Sequence, residues 1–332
     1  MTICSKCVWG GWLVVLAVSL PRPALAQDPP PPTPAASQPP AATQPPAATQ
    51  PPAATQPVAS QPPAATEPSG AQPSAATAQT SDPDRRLDPL QPDFNLAALP
   101  TTLRLPKNKM AFRVTHRFTR SLGRGDFGDL VNDFFGFDSA AQIGLEFRYG
   151  LLPGTQVGIH RTSDKTIEIF GQQNLMQQKK DGHPLGMDVI ATYEGLDNMR
   201  GQKLGAIGLL VSRKAGKYVA LHFEPIFVAN TNPRETGDTE GDFDNNTMMI
   251  GVGGRVRIRP ATYLVGEWTP RVGGFRPGVD QGSFGIEMRA GGHTFQINFS
   301  NGFGTTLGQI ASRGGVTADS WYIGFNISRK FF

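Results

Sequence analysis

From residue 110 to the C-terminus, apolar and polar side chains alternate along the chain, and this period of two restricts the fold more than any other feature of the sequence. In the first such segment Phe112 and Val114 fall on one face, whereas Arg113 and Arg117 fall on the other. Because successive side chains of a β-strand point to opposite faces, the pattern predicts strands with one apolar and one polar face. It recurs in twelve segments: residues 110–119, 141–149, 155–162, 166–175, 185–194, 203–213, 217–228, 247–259, 262–269, 283–290, 293–300 and 320–331.

The connections between these predicted strands are sorted by length. Connections after even-numbered strands are short, as at residues 214–216 and 260–261, and those after odd-numbered strands are mostly longer, as at residues 229–246. The connection at residues 163–165 is an exception. Short turns at one end and long loops at the other are typical of outer-membrane barrels. The sequence therefore predicts an all-β fold, a transmembrane antiparallel up-and-down β-barrel of about 12 strands over residues 110–332, with its short turns in the periplasm.

Charged residues recur on the polar faces of the predicted strands. In a closed barrel these faces would line the lumen, the apolar faces would contact lipid, and no strand edge would be left unpaired in hydrocarbon. We expect the following residues to line the lumen: Arg113, Arg117, Glu146, Arg148, His222, Glu224, Arg255, Arg257, Arg259, Glu267, Glu287 and Arg289. The excess of arginine in this set indicates a preference for anions.

The N-terminus has the order of a secretory signal peptide. A basic residue, Lys6, precedes a short apolar run, and small residues lie before Gln27. The apolar run is too short to cross roughly 30 Å of hydrocarbon as a helix. We therefore predict cleavage after Ala26. Cleavage would also remove Cys4 and Cys7, which are the only two cysteines, so that the mature chain would have no thiol for a disulfide or a metal.

Two segments that lack the strand pattern precede the barrel. Residues 27–80 consist mainly of Pro, Ala, Thr, Gln and Ser, and they have too little apolar surface to offset the entropy of ordering. We predict a disordered, extended arm in the periplasm, either a plain spacer or an arm that docks to the cell wall or to a periplasmic protein. Residues 81–109 regain apolar side chains, but five prolines forbid a long helix. This second segment either packs at the rim of the barrel or enters its lumen.

Three stretches of the barrel segment resemble a bacterial outer-membrane β-barrel family of unknown function, namely residues 114–118, 133–139 and 154–162. The last predicted strand is also similar to the C-terminal strand of outer-membrane proteins, which ends in an aromatic residue that the barrel-assembly machinery reads. Phe331 and Phe332 are both candidates for this assembly signal. The resemblance implies a barrel surrounded by outer-membrane lipids and lipopolysaccharide. It implies no activity, because fold alone does not decide function.

One serine is a candidate nucleophile. The stretch from Asn298 to Gly302 is similar to part of the serine motif of outer-membrane phospholipases, with Ser300 at the serine position. That family has a histidine two residues before the serine, where this chain has Asn298. Without a base to accept its proton the serine is a poor nucleophile, and His293 falls on the opposite face of the strand. We therefore predict that the chain is not an enzyme.

The charged residues indicate neither a metal nor a nucleic-acid partner. The five histidines show no metal-ligand spacing, and we predict no cofactor. The net charge of +4 is too small and too evenly spread to indicate a nucleic-acid partner. One predicted loop carries five carboxylates, Glu235, Asp238, Glu240, Asp242 and Asp244. They lack a complete calcium-loop spacing, so a solvated loop is favoured over a calcium site.

The first long loop carries a helical pattern. Phe127, Leu130 and Phe134 share one helix face, Asp126 is placed to cap the start, and Gly136 is placed to end it. Such a helix either folds over or into the mouth of the barrel and narrows it, or lies on the rim.

Together these features favour a narrow passive channel for small polar solutes or ions, whose substrate the sequence does not name. The competing interpretation is a closed structural barrel. Its lumen would be filled by paired arginines and glutamates, which is common in barrels with few strands. Its proline-rich arm would then tether the barrel or dock partners in the periplasm.

Overall fold

A computed structural model describes residues 88–179, 182–233 and 244–331. The predicted signal peptide, the proline-rich arm, the four acidic loop residues from Glu235 to Asp242, and Phe332 lie outside these described residues. No helix in the described part of the chain is long and apolar enough to cross a bilayer.

The described residues form one antiparallel sheet. Its strands are β1 (Met110–Ser121), β2 (Ala141–Leu152), β3 (Thr155–Thr162), β4 (Ile167–Met176), β5 (Gly186–Gly195), β6 (Lys203–Ala215), β7 (Val219–Ala229), β8 (Asn246–Arg259), β9 (Thr262–Thr269), β10 (Arg271–Gly274), β11 (Gln281–Ala290), β12 (His293–Ser300) and β13 (Tyr322–Phe331). Each strand from β1 to β8 pairs with the next, β9 pairs with β11, β11 with β12, β12 with β13, and β13 with β1. Twelve strands thus close into a barrel, which confirms the predicted fold class.

The short strand β10 is the one addition to the predicted strands. It pairs with residues 247–249 of β8, beyond the end of β9. The sequence does not predict it, because a four-residue segment with two glycines is too short to show alternation. The bounds of the twelve predicted strands otherwise differ from the observed ones by a few residues at most.

Burial along the strands is inverted relative to that in a water-soluble protein. In β2, the apolar side chains of Leu145 and Phe147 are 44% and 49% exposed, whereas Glu146 and Arg148 are 4% and 3% exposed. The apolar face of the barrel therefore points outward and the charged face points inward. This arrangement is expected where the surroundings are hydrocarbon and the interior is polar.

The two ends of the barrel differ. At the short-turn end, β11 and β12 are joined by Gly291 and Gly292, whose φ angles of +54° and +79° suit glycine and a tight hairpin. At the long-loop end, the loops carry three short helices: α1 (Phe127–Asn132), α2 (Leu196–Met199) and α3 (Leu307–Arg313). The loop lengths follow the predicted parity except on either side of β4, where residues 163–166 form a short connection at the long-loop end and residues 177–185 a longer one at the short-turn end.

Helix α1 begins where the sequence predicts, with Asp126 and Asp129 forming a capping box. It ends four residues before the predicted stop at Gly136, because Phe134 and Phe135 adopt positive φ angles of 44° and 55°. None of its residues is buried, and Phe127 is 73% exposed. The helix therefore does not enter the lumen, and the rim alternative agrees with the structure.

Placing an arginine on the outer face tests whether that face contacts lipid. Ile297 lies near the middle of β12 and is 57% exposed between apolar neighbours on β11 and β13. In lipid vesicles, we expect Ile297→Arg to lower the free energy of unfolding by about 2–4 kcal/mol, as arginine does at the bilayer midplane of such barrels. Urea titration of the vesicle-inserted protein measures the change.

The matched control is Val316→Arg in a loop at the long-loop end, where Val316 is 48% exposed. We expect this substitution to change stability by less than about 0.5 kcal/mol, as is usual at a solvated surface. Equal effects of the two arginines would show that the outer face of β12 lies in water.

Candidate functional site

The inner face of the barrel holds most of the residues that the sequence assigns to the lumen. Nine of them are less than 9% exposed: Arg113, Arg117, Glu146, Arg148, His222, Glu224, Arg255, Glu267 and Glu287. The other three lie towards the short-turn end. The Arg257 guanidinium donates to the Pro260 carbonyl, Arg259 is exposed at the end of β8, and Arg289 is partly exposed near the end of β11.

Several of the buried charges form ion pairs. Arg255 and Glu287 are joined by two parallel hydrogen bonds of 2.9 and 3.0 Å. Glu146 accepts from Arg148 at 2.9 Å and lies 3.5 Å from Arg113. Such pairing with hydrogen bonds is what makes buried charges tolerable in a low-dielectric interior.

Residues 88–106, which we name the plug, enter the barrel from the short-turn end. At the entrance the Lys214 ammonium lies 2.6 Å from an Asp88 carboxylate oxygen, and the Tyr263 hydroxyl donates to the Pro89 carbonyl at 2.7 Å. Deeper in the lumen, Leu96 and Leu99 are fully buried. Of the two alternatives that the sequence left open for this segment, the structure shows entry into the lumen for the described residues.

The plug reverses direction at residues 96–99, which we name the tip. The Leu96 amide donates to the Leu99 carbonyl at 2.7 Å, and the Thr101 amide donates to the Phe94 carbonyl at 2.7 Å. The turn leaves three consecutive amides, those of residues 97 to 99, pointing away from the plug and towards the wall. The tip is therefore a compact hairpin whose backbone groups are free to bind the barrel.

The carboxylate of Glu267 on β9 accepts all three of these amides. The donor-to-acceptor distances are 2.9 Å from Ala97, 2.9 and 3.0 Å from Ala98, and 3.0 Å from Leu99. Hydrogen bonds to an ionised group are roughly twice as strong as neutral ones. Glu267 is therefore the main anchor of the tip.

Side chains on β1, β8, β12 and β13 hold the carbonyl groups of the plug. The Ala97 carbonyl accepts from Arg113 at 2.5 Å, from Asn326 at 3.0 Å and from Arg117 at 3.4 Å. The Leu96 carbonyl accepts from Gln296 at 2.9 Å. Further back along the plug, the Asn95 carbonyl accepts from the Arg255 guanidinium, and the Asp93 carboxylate accepts from the Ser328 hydroxyl at 2.9 Å. The barrel thus binds the plug chiefly through its backbone.

Helix α3 enters the lumen from the opposite, long-loop end and contacts β6, β7 and β8. Its Leu307, Ile310 and Ala311 are at most 4% exposed and share one apolar cluster with Leu96 and Leu99 of the plug. The Thr306 side chain caps its first turn by accepting from the Gln309 amide. The plug and α3 therefore meet inside the barrel.

The turn between β3 and β4 fastens α3 through Asp164. This carboxylate lies 2.6 Å from the Arg313 guanidinium and accepts from the Gln309 amide group at 3.2 Å. Burial raises the pKa of Asp164, but hydrogen bonds from Thr162 and Arg313 outweigh it and lower that pKa to about 2. Asp164 is therefore ionised at neutral pH. Its ion pair with Arg313 and its hydrogen bond from Gln309, which we name the Asp164 clasp, hold α3 in place.

A ladder of ionisable residues runs across β2 to β5 beneath α3. Glu146 is the register partner of His160, His160 of Glu168, and Glu168 of Glu194. A side chain at Gly308 of α3 would clash with this ladder, since a Cβ atom there would lie 2.5 Å from the Glu194 carboxylate. The helix therefore covers the acidic end of the ladder, and glycine permits that close approach without a shift of the Glu194 carboxylate.

Little space remains where the plug meets α3. A cavity of about 20 Å³, lined by Ala98, Glu168 and Leu307 among others, has room for about one water molecule. Nearer the short-turn end, a wider vestibule of about 180 Å³ lies between the plug and β4 to β6. In this conformation the lumen is closed at its centre.

The remaining candidate groups lie apart from this centre. The Ser300 hydroxyl is 3.1 Å from the Ser283 hydroxyl, and Asn298 donates to Gln296. Phe331 lies on the outer face with the Arg329 guanidinium 5.7 Å from its ring centroid. Within the described residues, no group of three or more His, Cys, Asp or Glu side chains is placed to hold a metal ion.

Comparisons with known proteins give one family and several structures. The family model described as a membrane bound beta barrel domain (DUF5777) matches residues 93–331. The comparison with curated proteins found no match. Among solved structures, the chain is similar to the NanC porin, with 10% identity, a TM-score of 0.44, and coverage of 67% of this chain and 99% of that one.

Two further porins show weaker similarity. The KdgM porin in complex with disordered oligogalacturonate is 7% identical, with a TM-score of 0.41 and coverage of 68% of this chain and 99% of that one. A triple mutant of the Rhodopseudomonas blastica porin is 12% identical, with a TM-score of 0.30. That match covers 57% of this chain and 55% of the porin chain.

Proposed function

The chain belongs to the membrane bound beta barrel family (DUF5777). We propose that it is a narrow passive channel of the outer membrane for small polar solutes or ions, and that the plugged barrel is its closed state. The observation that carries the proposal is the way the tip is held. Charged and amide side chains of the wall bind its backbone, so the same side chains would line a polar, water-filled path if the plug moved out.

Two unpaired charges support a lumen that opens to water. Within the described residues, no ion pair of 4.0 Å or less involves Glu267 or Arg117. Both side chains are buried, and their hydrogen-bond partners include the backbone of the tip. Buried charges without a direct ion pair cost free energy, whereas hydrated ones do not. A permanently closed barrel would be better stabilised by an apolar or fully paired interior.

The charge of the opened wall indicates which ions would pass. Withdrawal of the plug would expose four basic wall residues that lie near it, Arg113, Arg117, Arg255 and Lys330, together with one acidic residue that binds the tip, Glu267. Helix α3 would still cover Glu194. The exposed surface would therefore carry an excess of positive charge, and we expect anions to permeate more readily than cations.

Planar-bilayer recording tests the channel directly. We expect stepwise conductance from the purified protein, with a reversal potential that indicates anion preference. Substituting Arg117→Gln removes one lumen charge and is expected to shift that potential towards cation selectivity. The matched control is Arg161→Gln, because Arg161 lies on the outer face of β3 and bonds to Asn198. Absence of conductance under all voltages and salts, with heat-modifiable folding retained, would contradict the channel.

A second candidate function is a closed structural barrel. The observation that favours it is the apolar cluster inside the lumen, where Leu99 of the plug and Ile310 of α3 pack on Ile226 and Met249 of the wall. Such packing stabilises the closed form by the burial of apolar surface. In this reading the arm before residue 88 would extend into the periplasm from the short-turn end and dock to the cell wall or to a periplasmic protein. The barrel-assembly machinery, outer-membrane lipids and lipopolysaccharide are proposed partners under both readings.

A further inference from the structure

The tip residue Ala97 is bound by the wall in the manner in which a free amino acid would be bound. We infer that the group of wall side chains that binds Ala97, which we name the seat, is a binding site for zwitterionic α-amino acids. These are then the solutes that the channel selects once the plug leaves. The inference rests on the proposed channel function. It goes beyond that function by naming a class of solute.

The amino side of the seat is Glu267. Its carboxylate accepts the Ala97 amide at 2.9 Å, and no basic side chain among the described residues lies within 4.0 Å of it. A neutral amide neutralises none of the carboxylate's charge. The ammonium group of a free amino acid would occupy the same position, donate more hydrogen bonds and supply the missing positive charge.

The carboxyl side of the seat comprises Arg113, Arg117 and Asn326. All three donate to the single carbonyl oxygen of Ala97, at 2.5, 3.4 and 3.0 Å. Two guanidinium groups and an amide around one neutral oxygen provide more donors than a carbonyl can use well. A carboxylate has two oxygens and a negative charge, and arginine binds it with two parallel hydrogen bonds.

The spacing between the two sides is that of one amino acid. In Ala97 the amide nitrogen and the carbonyl oxygen are joined through the atoms N, Cα, C and O, and the same atoms join the ammonium and carboxylate groups of a free α-amino acid. One residue therefore spans the seat from Glu267 to the arginines. The Ala97 residue is itself buried, at 1% exposure.

Binding at this seat would also open the channel. The tip and a free amino acid would occupy the same position, so they compete. A ligand that binds only the plug-free state shifts the equilibrium towards that state by mass action. An amino acid would therefore raise the frequency of opening as well as pass through the open lumen.

Three small solutes separate the two halves of the seat. L-alanine carries both charged groups, L-lactate lacks the ammonium group, and L-alaninamide lacks the carboxylate. At equal concentration in planar-bilayer recordings of the full chain, we expect alanine to raise the opening frequency at least about ten-fold more than either analogue. Sites built to bind a polar group reject analogues that lack it by factors at least this large.

A substitution tests the amino side. Glu267→Gln keeps the size of the side chain and removes its charge, so it is expected to abolish the advantage of alanine over lactate. Asp188→Asn is the matched control, because Asp188 is a buried carboxylate that accepts from Gln172 and Asn174 and is not bonded to the tip. The control should retain the advantage of alanine.

The outcomes distinguish this inference from the channel proposal. If the protein conducts but alanine, lactate and alaninamide act equally, or if Glu267→Gln leaves the advantage of alanine intact, the amino-acid site is refuted and the channel remains. If no protein conducts, both are refuted. An advantage of alanine that is lost in Glu267→Gln and kept in Asp188→Asn supports the site.

Discussion

Replacing Glu267 with alanine is expected to raise the frequency of channel opening by about 100-fold in planar bilayers. The substitution removes the single acceptor of three tip amides, those of Ala97, Ala98 and Leu99. A hydrogen bond to a charged group contributes about 1.5–3 kcal/mol, and the three are not additive because they share one carboxylate. A combined loss of about 3 kcal/mol from the closed state corresponds to a factor of about 100 in the equilibrium between plugged and open barrels.

The control for this substitution is Asp188→Ala, which truncates another buried carboxylate of the wall. We expect this variant to lose stability without a comparable rise in opening, because its two hydrogen bonds go to side chains of β4 and its contact with the plug is one 4.0 Å ion pair with Arg104. Far-ultraviolet circular dichroism and heat-modifiable migration would establish that both variants fold. An opening frequency for Glu267→Ala that equals the wild-type value would mean that the tip does not govern conduction.

The wall of the barrel was predictable because each strand repeats one simple rule over about ten residues. In β2 and β12 the inward positions are polar or small and the outward positions are apolar, so periodicity locates both the strand and its two faces. The rule weakens at strand ends. By alternation, Arg257 and Arg259 should fall on the same face as Arg255. The pairing of β8 with β9 shifts register between Arg257 and Arg259, at the short-turn end.

The contents of the lumen were harder to predict. The tip reads Leu-Ala-Ala-Leu between prolines, and no local pattern states whether such a segment packs on a rim or inside a barrel. Its anchors lie between 16 and 229 residues away in the chain, at Arg113, Glu267 and Asn326. Contacts of that range depend on the closed barrel, which brings β1, β9 and β13 to one lumen.

The sequence did not indicate which helix enters the barrel. Helix α1 has good capping and an apolar face, yet its Phe127 is 73% exposed. Helix α3 has seven residues, including one glycine, within a Gly- and Thr-rich loop, and its local helical signal is weak. Tertiary contacts stabilise α3, namely the Asp164 clasp and the apolar cluster with Leu96 and Leu99.

A disulfide between the plug and the wall is expected to abolish conduction in a reversible manner. The Thr102 hydroxyl oxygen of the plug lies 2.6 Å from that of Ser212 on β6, and both residues are buried. The sulfur atoms of a disulfide are about 2.05 Å apart, so cysteines at these two positions are well placed to form one. Cys4 and Cys7 lie in the predicted signal peptide, so the mature chain should contain no competing thiol.

The single variants Thr102→Cys and Ser212→Cys serve as controls for this disulfide. Each alters one buried hydroxyl in the same way as the double variant but cannot form the bond. Their conductance should therefore not respond to a change of redox conditions. A response in a single variant would assign the effect to the cysteine itself rather than to the tether.

The most direct test of the plug as the gate is the current through the double variant Thr102→Cys/Ser212→Cys in one bilayer, recorded first oxidised and then after addition of a reductant. The predicted result is silence while the disulfide holds the plug in place, followed by stepwise openings at the frequency of the single variants. Currents that are the same before and after reduction of a fully formed disulfide would contradict the proposal that movement of residues 88–106 opens the barrel.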